Sequence, residues 1–131
     1  MSQGNVEIVR RSFEAFNTRD VDALVSLSAE DCEWVPLRAQ LEGMVYRGHE
    51  GVRQFVSDMD EDWESFRIDP LEFHERRERV AVIGQVAALG QSGVQIESVA
   101  GFVFELLHSR ITRITSHSDP KEALEAVGLS E

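Results

Sequence analysis

Hydrophobic and polar residues alternate along the second half of the chain, from Val94 to His117. A period of two that includes β-branched and aromatic residues is typical of β-strands. A turn at His108-Ser109 divides this region into two strands. Gly90 and Gly93 lie just before the region, and Arg79 to Leu89 is the predicted strand that precedes these glycines. The pattern predicts an antiparallel meander of three long strands. Neither face of the Val94–Leu107 strand is purely polar, so we expect both faces to be covered.

The first half of the chain has the spacing of amphipathic helices. Apolar residues recur at i, i+3, i+7 and i+10 between Asn5 and Asn17, which predicts one helix. Asp20 is a suitable N-cap for a second helix. A third helix is predicted to begin near Tyr46 and to carry Trp63 on its buried face. The acidic residues of its other face, Asp58 among them, fit a solvated helix face better than a cation site.

Shorter elements fill the remaining segments. Cys32 to Val35 is predicted to form a short strand and Leu37 to Val45 a loop. Arg67 to Glu75 is a further predicted strand in which Pro70 marks an edge or a bulge. The segment that begins Asp119-Pro120-Lys121-Glu122 has the N-cap, first-turn proline and acidic residue of a helix start.

Composition and charge exclude several classes of function. The 131 residues include 24 acidic and 13 basic side chains, and a net charge of −11 disfavours nucleic acid or an anionic membrane as partner. Apolar runs are too short for a membrane span, and no signal peptide is visible at the start, so we expect a cytoplasmic protein. The single cysteine, Cys32, excludes an internal disulfide. The four histidines are too dispersed to predict a metal site.

Three segments together resemble the SnoaL-like branch of the nuclear transport factor 2-like superfamily. They are EIVRRSFEAFNTRDVDALVSLSAEDCEW, YRGHEGVRQF and ITRITSHSDPKEALEAVGL. The resemblance covers nearly the whole chain and implies a single α+β domain over residues 1–131. Its fold would be a cone, in which a strongly curved, mostly antiparallel sheet wraps round three N-terminal helices and a short C-terminal helix follows. It also implies an apolar pocket at the open end, no cofactor, and often a homodimer through the sheet.

Enzymes of this superfamily include ketosteroid isomerases, epoxide hydrolases and polyketide cyclases. By rough alignment, three positions are similar to those of the isomerase tyrosine, general-base aspartate and protonated acid. They hold Ser12 or Phe13, Val35 or Pro36, and Ala100, respectively. These side chains cannot perform that chemistry, and the Asp-Arg-Asp set of the epoxide hydrolases is not visible either. The resemblance to polyketide cyclases directs attention to the last strand, where His117 is followed by Asp119.

His117 is the predicted candidate for an acid/base role, with Asp119 as its partner. The ordinary pKa of an imidazole lies near 6.5, so a modest change of environment can tune a histidine across neutral pH. The alternative is that Asp119 caps the last helix while His117 is half-exposed. Glu97 and Glu105, on the face opposite Phe102 and Phe104, are expected to point outward.

A small, largely apolar molecule is the predicted ligand. Aromatic side chains could line its pocket, although such residues are more often plain core. The predicted ligand-binding residues are Phe16, Trp34, Tyr46, Phe55, Trp63, Phe102 and Phe104. Two functions remain open from the sequence: an acid/base isomerase, cyclase or hydrolase, and a non-catalytic ligand-binding or dimerisation module.

Overall fold

The computed structural model describes residues 2–128, with the side chains of residues 4–37 and 41–128. Within this range the chain forms five helices and six strands. The helices are α1 (Ser2–Thr18), α2 (Val21–Leu27), α3 (Leu37–Glu42), α4 (Gly48–Asp62) and α5 (Pro120–Ala126). The strands are β1 (Ser28–Val35), β2 (Tyr46–Arg47), β3 (Trp63–Arg76), β4 (Arg79–Gly90), β5 (Gln95–Leu107) and β6 (Arg110–His117).

The strands form one curved, mixed sheet in the order β2-β1-β6-β5-β4-β3. All neighbouring strands are antiparallel except β1 and β6, which run parallel. The predicted meander is therefore confirmed. His108 and Ser109 both have positive φ, 53° and 63°, as the two-residue turn between β5 and β6 requires. No helix in the described part of the chain is long and apolar enough to cross a membrane.

The two faces of the sheet have different partners. The inner face, which carries Phe102 and Phe104 of β5, packs against Phe13 of α1 with ring centroids 5.6 and 5.4 Å apart. The outer face is covered in part by α5, whose buried Ala123 packs with Val103. Successive residues of a strand point to opposite faces, so the register assigns each side chain of the meander to one face.

Gly101 allows α5 to lie close to the outer face. A Cβ atom added to Gly101 would lie 2.7 Å from the Cβ of Ala123 and 3.1 Å from the Cα of Pro120. Because real Cβ atoms do not approach other atoms so closely, the helix could not keep this position above any other residue. The missing side chain at one residue of β5 thus fixes the place of the C-terminal helix.

Side-chain caps begin two of the helices, as the sequence predicted. Asp20 accepts a hydrogen bond from the backbone N–H of Ala23 at 3.1 Å, at the start of α2. Asp119 accepts one from the N–H of Lys121 at 2.9 Å, at the start of α5. These bonds satisfy N–H groups that have no partner within the helix. Gly128, with a positive φ of 84°, follows the end of α5.

The edge strand β3 is held by side chains from the end of α1. The amide of Asn17 donates to the carbonyl of Ile68 at 2.7 Å and accepts from its N–H at 3.0 Å. Arg19 donates to the carbonyl of Phe66 at 3.1 Å. These backbone groups would otherwise lie at a free strand edge, so the end of α1 takes the place of a neighbouring strand. The predicted irregularity at Pro70 is present as a shift in register between Pro70 and Glu72.

Three predictions about the elements were wrong. Residues of the predicted loop from Leu37 to Val45 form the six-residue helix α3. Trp63 begins strand β3 instead of belonging to the buried face of the preceding helix. The first residues of β5, from Gln95 to Val99, are exposed on both faces, so the coverage expected along the whole strand stops near Ala100. The alternation was correctly interpreted as a strand, but it does not reveal where the covering helices end.

Candidate functional site

A cavity of about 730 Å³ lies between the inner face of the sheet and the helices α1 to α4. Phe13 and Phe104, in contact with each other, form part of its wall. Exposed Ser98 and Ile96 also line it, where β5 is uncovered. Small-molecule sites in proteins usually enclose 300–1,000 Å³, so the cavity could hold a molecule of several rings.

The seven predicted ligand-binding residues all line this cavity. They come from α1, β1, β2, α4, β3 and β5, and they are Phe16, Trp34, Tyr46, Phe55, Trp63, Phe102 and Phe104. Phe55 is the centre of the aromatic part, with Trp34 edge-on at 5.3 Å and Tyr46 edge-on at 5.5 Å. The residues are thus brought together, and their contact with a ligand stays a prediction.

Tyr46 lies along one face of helix α4. A Cβ atom at Gly51 would lie 2.6 Å from the backbone carbonyl carbon of Tyr46, so only glycine permits this approach. Phe55, one turn further, packs on the Tyr46 ring, and Asp58, about one turn beyond that, accepts a hydrogen bond from its hydroxyl at 2.6 Å. Positions i, i+4 and i+7 share one helix face. That face therefore places a phenol and a carboxylate together in the cavity wall.

Asp58 has a second hydrogen-bond donor. The side-chain amide of Gln54 donates to its other oxygen at 2.7 Å, one helical turn away. Asp58 is half-buried, and both it and Tyr46 belong to the wall of the cavity. The two bonds hold the carboxylate in one orientation, with one oxygen directed to the phenol and the other to the amide.

Trp34 brings a buried donor to the wall. Its side chain is 5% exposed, and its indole Nε1 has no hydrogen-bond partner among the residues whose side chains are described. A buried N–H without a partner costs about 1–3 kcal/mol. Ser12 also lies in the wall, but its hydroxyl already has a hydrogen-bond partner, since it donates to the carbonyl of Val9 at 2.6 Å.

His117 is at the margin of the cavity, but its ring contacts other groups. Its Nε2 lies 3.1 Å from the hydroxyl of Thr115 and its Nδ1 lies 3.5 Å from a carboxylate oxygen of Glu122 in α5. In the register His117 is opposite Gly101, the residue that faces α5, so its ring belongs to the outer face. Asp119 caps α5, and the carboxylate recorded beside the His117 ring is that of Glu122. The acid/base role of His117 and Asp119 stays a prediction, and these contacts favour a structural role for both residues.

Glu105 points outward, as expected. It lies opposite Arg79 on β4 and Arg113 on β6, and Arg113 in turn forms an ion pair with Glu33 of β1 at 2.5 Å. Arg47 of β2 lies 3.8 Å from the same Glu33 carboxylate. The charges therefore alternate in a row across five strands of the outer face, far from the inner cavity. This row explains why the charged Glu105 is present in the mostly apolar second half of β5.

Sequence reasoning missed Asp58. It was assigned to a solvated acidic helix face, which is correct for its neighbour Asp60, an ion-pair partner of Arg19 at 3.1 Å. The available signal was the i, i+4, i+7 spacing of Gly51, Phe55 and Asp58, which places Asp58 on the side of the buried aromatic ring. Further polar lining residues outside the predicted ligand-binding set are Glu42, Asp62, Ser98, Ser116 and Ser118.

Two other groups have altered acidity. Burial raises the pKa of the Cys32 thiol, which is fully enclosed in the core. Burial also raises the pKa of the Glu75 carboxyl, one oxygen of which has no hydrogen-bond partner among the described side chains. Neither residue lines the cavity. Among the described residues, no group of three or more His, Cys, Asp or Glu is arranged to hold a metal ion.

Solved structures with the same architecture cover nearly the whole chain. A nuclear transport factor 2-like protein of unknown function from Burkholderia pseudomallei is 25% identical, with a TM-score of 0.80 over 95% of this chain and 98% of that one. A nuclear transport factor 2-like protein from Burkholderia xenovorans is 28% identical, with a TM-score of 0.76 over 97% of both chains. A putative polyketide cyclase from Xanthomonas campestris is 21% identical, with a TM-score of 0.79 over 97% of this chain and 98% of that one.

A comparison with curated proteins found no match. The family profile described as the SnoaL-like domain matches residues 9–114, from the middle of α1 to the middle of β6. This range includes most of the cavity wall and the Tyr46–Asp58 pair. Together with the cone architecture, the match confirms the resemblance seen in the sequence: the chain belongs to the SnoaL-like domain family, within the nuclear transport factor 2-like fold.

Proposed function

We propose that the protein binds a small, largely apolar molecule in the cavity between the sheet and the helices. The observation that carries this proposal is the size of the cavity, about 730 Å³, together with a wall made mostly of aromatic and aliphatic side chains. Burial of apolar ligand surface there would contribute about 25 cal/mol per Å² removed from water. The Tyr46–Asp58 pair would add orientation to this largely non-directional attraction.

Tryptophan fluorescence provides a direct test. The chain has two tryptophans, Trp34 and Trp63, and both line the cavity, so the intrinsic emission reports on it. We expect naphthalene, a neutral apolar probe, to change this emission in a saturable manner. Replacement of Ala100 in the cavity wall by phenylalanine should fill part of the space and weaken binding by about tenfold, which corresponds to about 1.4 kcal/mol.

The matched control is Leu107→Phe on the same strand. Leu107 is 48% exposed and does not line the cavity, so the added ring should leave naphthalene binding unchanged. Absence of saturable binding in the wild-type protein would refute the proposal. So would equal binding in the Ala100→Phe and wild-type proteins, because the ligand would then occupy another place.

A second candidate function is acid/base catalysis on the bound molecule. It is favoured by the hydrogen-bonded phenol and carboxylate of Tyr46 and Asp58 in a largely apolar wall, where such groups can transfer protons. One solved structure of the same fold is described as a putative polyketide cyclase. The test uses 2-tetralone in deuterium oxide, with NMR to follow exchange of its α-hydrogen for deuterium. Faster exchange with the wild-type protein than with Asp58→Asn would support catalysis, and equal rates would exclude Asp58 as the base.

We also infer that two copies of the chain associate through the uncovered part of the outer face. Val99, at 41% exposure, lies there beside the exposed residues Gln95 and Glu97. Association would remove apolar surface from water on both copies. Sedimentation at tens of micromolar, a working range for weak pairs, should show the mass of a dimer, and a monomer throughout would contradict the inference.

A further inference from the structure

The Tyr46–Asp58 pair limits which polar group a ligand can present to it. A tyrosine hydroxyl has one proton to donate and two lone pairs with which to accept. The Tyr46 proton is directed to Asp58 at 2.6 Å, a short distance typical of bonds to a charged acceptor. Toward any further group, the phenol oxygen can therefore act only as an acceptor.

The Asp58 carboxylate likewise requires a hydrogen-bond donor on the ligand. Asp58 as a carboxylate has no proton to give, and the two hydrogen bonds recorded for it come from neutral groups, the Tyr46 hydroxyl and the Gln54 amide. A carboxylate can accept about four hydrogen bonds. The pair as a whole thus presents acceptor atoms, and its negative charge favours a partner that carries a polar hydrogen.

The position of the pair defines where that hydrogen would be. Tyr46, Asp58 and Met44 line the apolar cavity and also a polar outer groove of about 630 Å³. The groove contains Gln54 and the exposed Arg53. A ligand that keeps its apolar body among the aromatic rings would reach the pair with one end only, at the boundary between the two spaces.

From this geometry we infer that the natural ligand is a largely apolar molecule with one hydrogen-bond donor, a hydroxyl or an ammonium group, which it donates to Tyr46 and Asp58. A molecule whose polar end is only an acceptor, such as an ether, would oppose lone pairs to lone pairs. A molecule without a polar end would form no hydrogen bond with Tyr46 or Asp58. The inference rests on the proposed binding function and adds the class of ligand to it.

The test compares four probes that share one ring system: naphthalene, 2-naphthol, 2-methoxynaphthalene and 2-naphthylmethylamine. Titration followed by the emission of Trp34 and Trp63 gives their affinities. We expect 2-naphthol, 2-naphthylmethylamine or both to bind about tenfold more tightly than naphthalene, which corresponds to about 1.4 kcal/mol, because a hydrogen bond to a charged group adds to the burial of the shared rings. The ether should show no such preference. The two donor probes distinguish a hydroxyl from an ammonium ligand.

Two variants locate the effect. Tyr46→Phe keeps the ring that packs on Phe55 and removes the acceptor oxygen, so the preference for donors should fall while naphthalene still binds. Asp58→Asn removes the charge and keeps the shape, which should reduce the preference for the ammonium probe most. Leu107→Phe, outside the cavity, should retain the full preference.

The outcomes separate the two proposals. Equal affinities for all four probes, or a 2-methoxynaphthalene as tightly bound as 2-naphthol, would overturn the inference and leave the proposed binding function intact. A donor preference that persists in both the Tyr46→Phe and the Asp58→Asn proteins would also overturn it. Failure of every probe to bind would refute the binding function itself.

Discussion

The double hydrogen bond between Asn17 and Ile68 should make Asn17 one of the most sensitive polar residues of the protein. Asn17→Ala removes a donor at 2.7 Å and an acceptor at 3.0 Å from the backbone of β3. Ile68 is 8% exposed, so water cannot fully replace the lost amide. A buried backbone group left without a partner costs about 1–3 kcal/mol, and because water can replace part of the lost amide we expect a loss of about 2–4 kcal/mol for the two groups together.

Urea unfolding followed by tryptophan fluorescence measures this loss as a change in the unfolding midpoint. A domain of this size is stabilised by about 5–15 kcal/mol, so the variant should stay folded and be clearly weaker. Asn17→Asp is the sharper variant. It keeps the acceptor for the Ile68 N–H but sets a carboxylate oxygen against the Ile68 carbonyl. At neutral pH we therefore expect it to be no more stable than Asn17→Ala.

Thr18→Ala is the control, because the Thr18 hydroxyl bonds only to carbonyls of its own helix and the residue is exposed. Its free energy of unfolding should change by less than about 0.5 kcal/mol. A similarly small change for Asn17→Ala would refute the reasoning, since it would mean that solvent or a neighbouring strand satisfies Ile68 equally well. A stable Asn17→Asp protein would show that the amide orientation has no importance.

Three further predictions concern the core and the titrating groups. Phe102→Ala should destabilise the protein by about 3–5 kcal/mol in urea unfolding, because Phe102 is 6% exposed and packs edge-on against Phe13; a loss below about 1 kcal/mol would mean that the cavity absorbs the change without cost. Burial raises the pKa of Glu75 in the folded state, so its charged form opposes folding at neutral pH and this penalty disappears as the pH falls through the raised pKa. Glu75→Gln should accordingly be more stable than the wild-type protein at pH 7, with a difference that shrinks in acid; a constant difference would assign the effect to packing. At a fixed pH, the NMR chemical shifts of the His117 ring should respond to Glu122→Gln and remain insensitive to naphthalene, whereas shifts that change with the ligand would return His117 to the site.

The predictable part of the fold depended on local chemistry. Alternation identified the meander, and Asp20 and Asp119 were recognisable as caps because a capping carboxylate acts within three residues of its own position. Trp63 was misassigned for the opposite reason. It continues the apolar spacing of α4, yet the chain leaves the helix at this residue and Trp63 pairs with Gly90 of β4. Only the partner strand decides between the two conformations.

The candidate site was predictable in its apolar part and not in its polar part. Aromatic residues were assigned to the wall because their size nearly always leads to burial. The role of Asp58 depends on Tyr46, twelve positions earlier, whose ring lies along α4 only because Gly51 has no side chain. The outward position of the His117 ring depends on its register with Gly101 and on the place of α5. The helix spacing could place Asp58 beside Phe55, but the bond to Tyr46 and the orientation of the His117 ring arise from tertiary packing.

The position of α5 also limits how much of the sheet any other molecule can use. The helix rests on Ala81 and Val103 and depends on the missing side chain of Gly101. Because α5 already covers the centre of the outer face, an external partner could bind there only by displacing the helix. The end of the sheet near the exposed Val99 stays uncovered in the intact protein. Removal of the helix by a protease would uncover the apolar centre as well, and would make the outer face prone to aggregation.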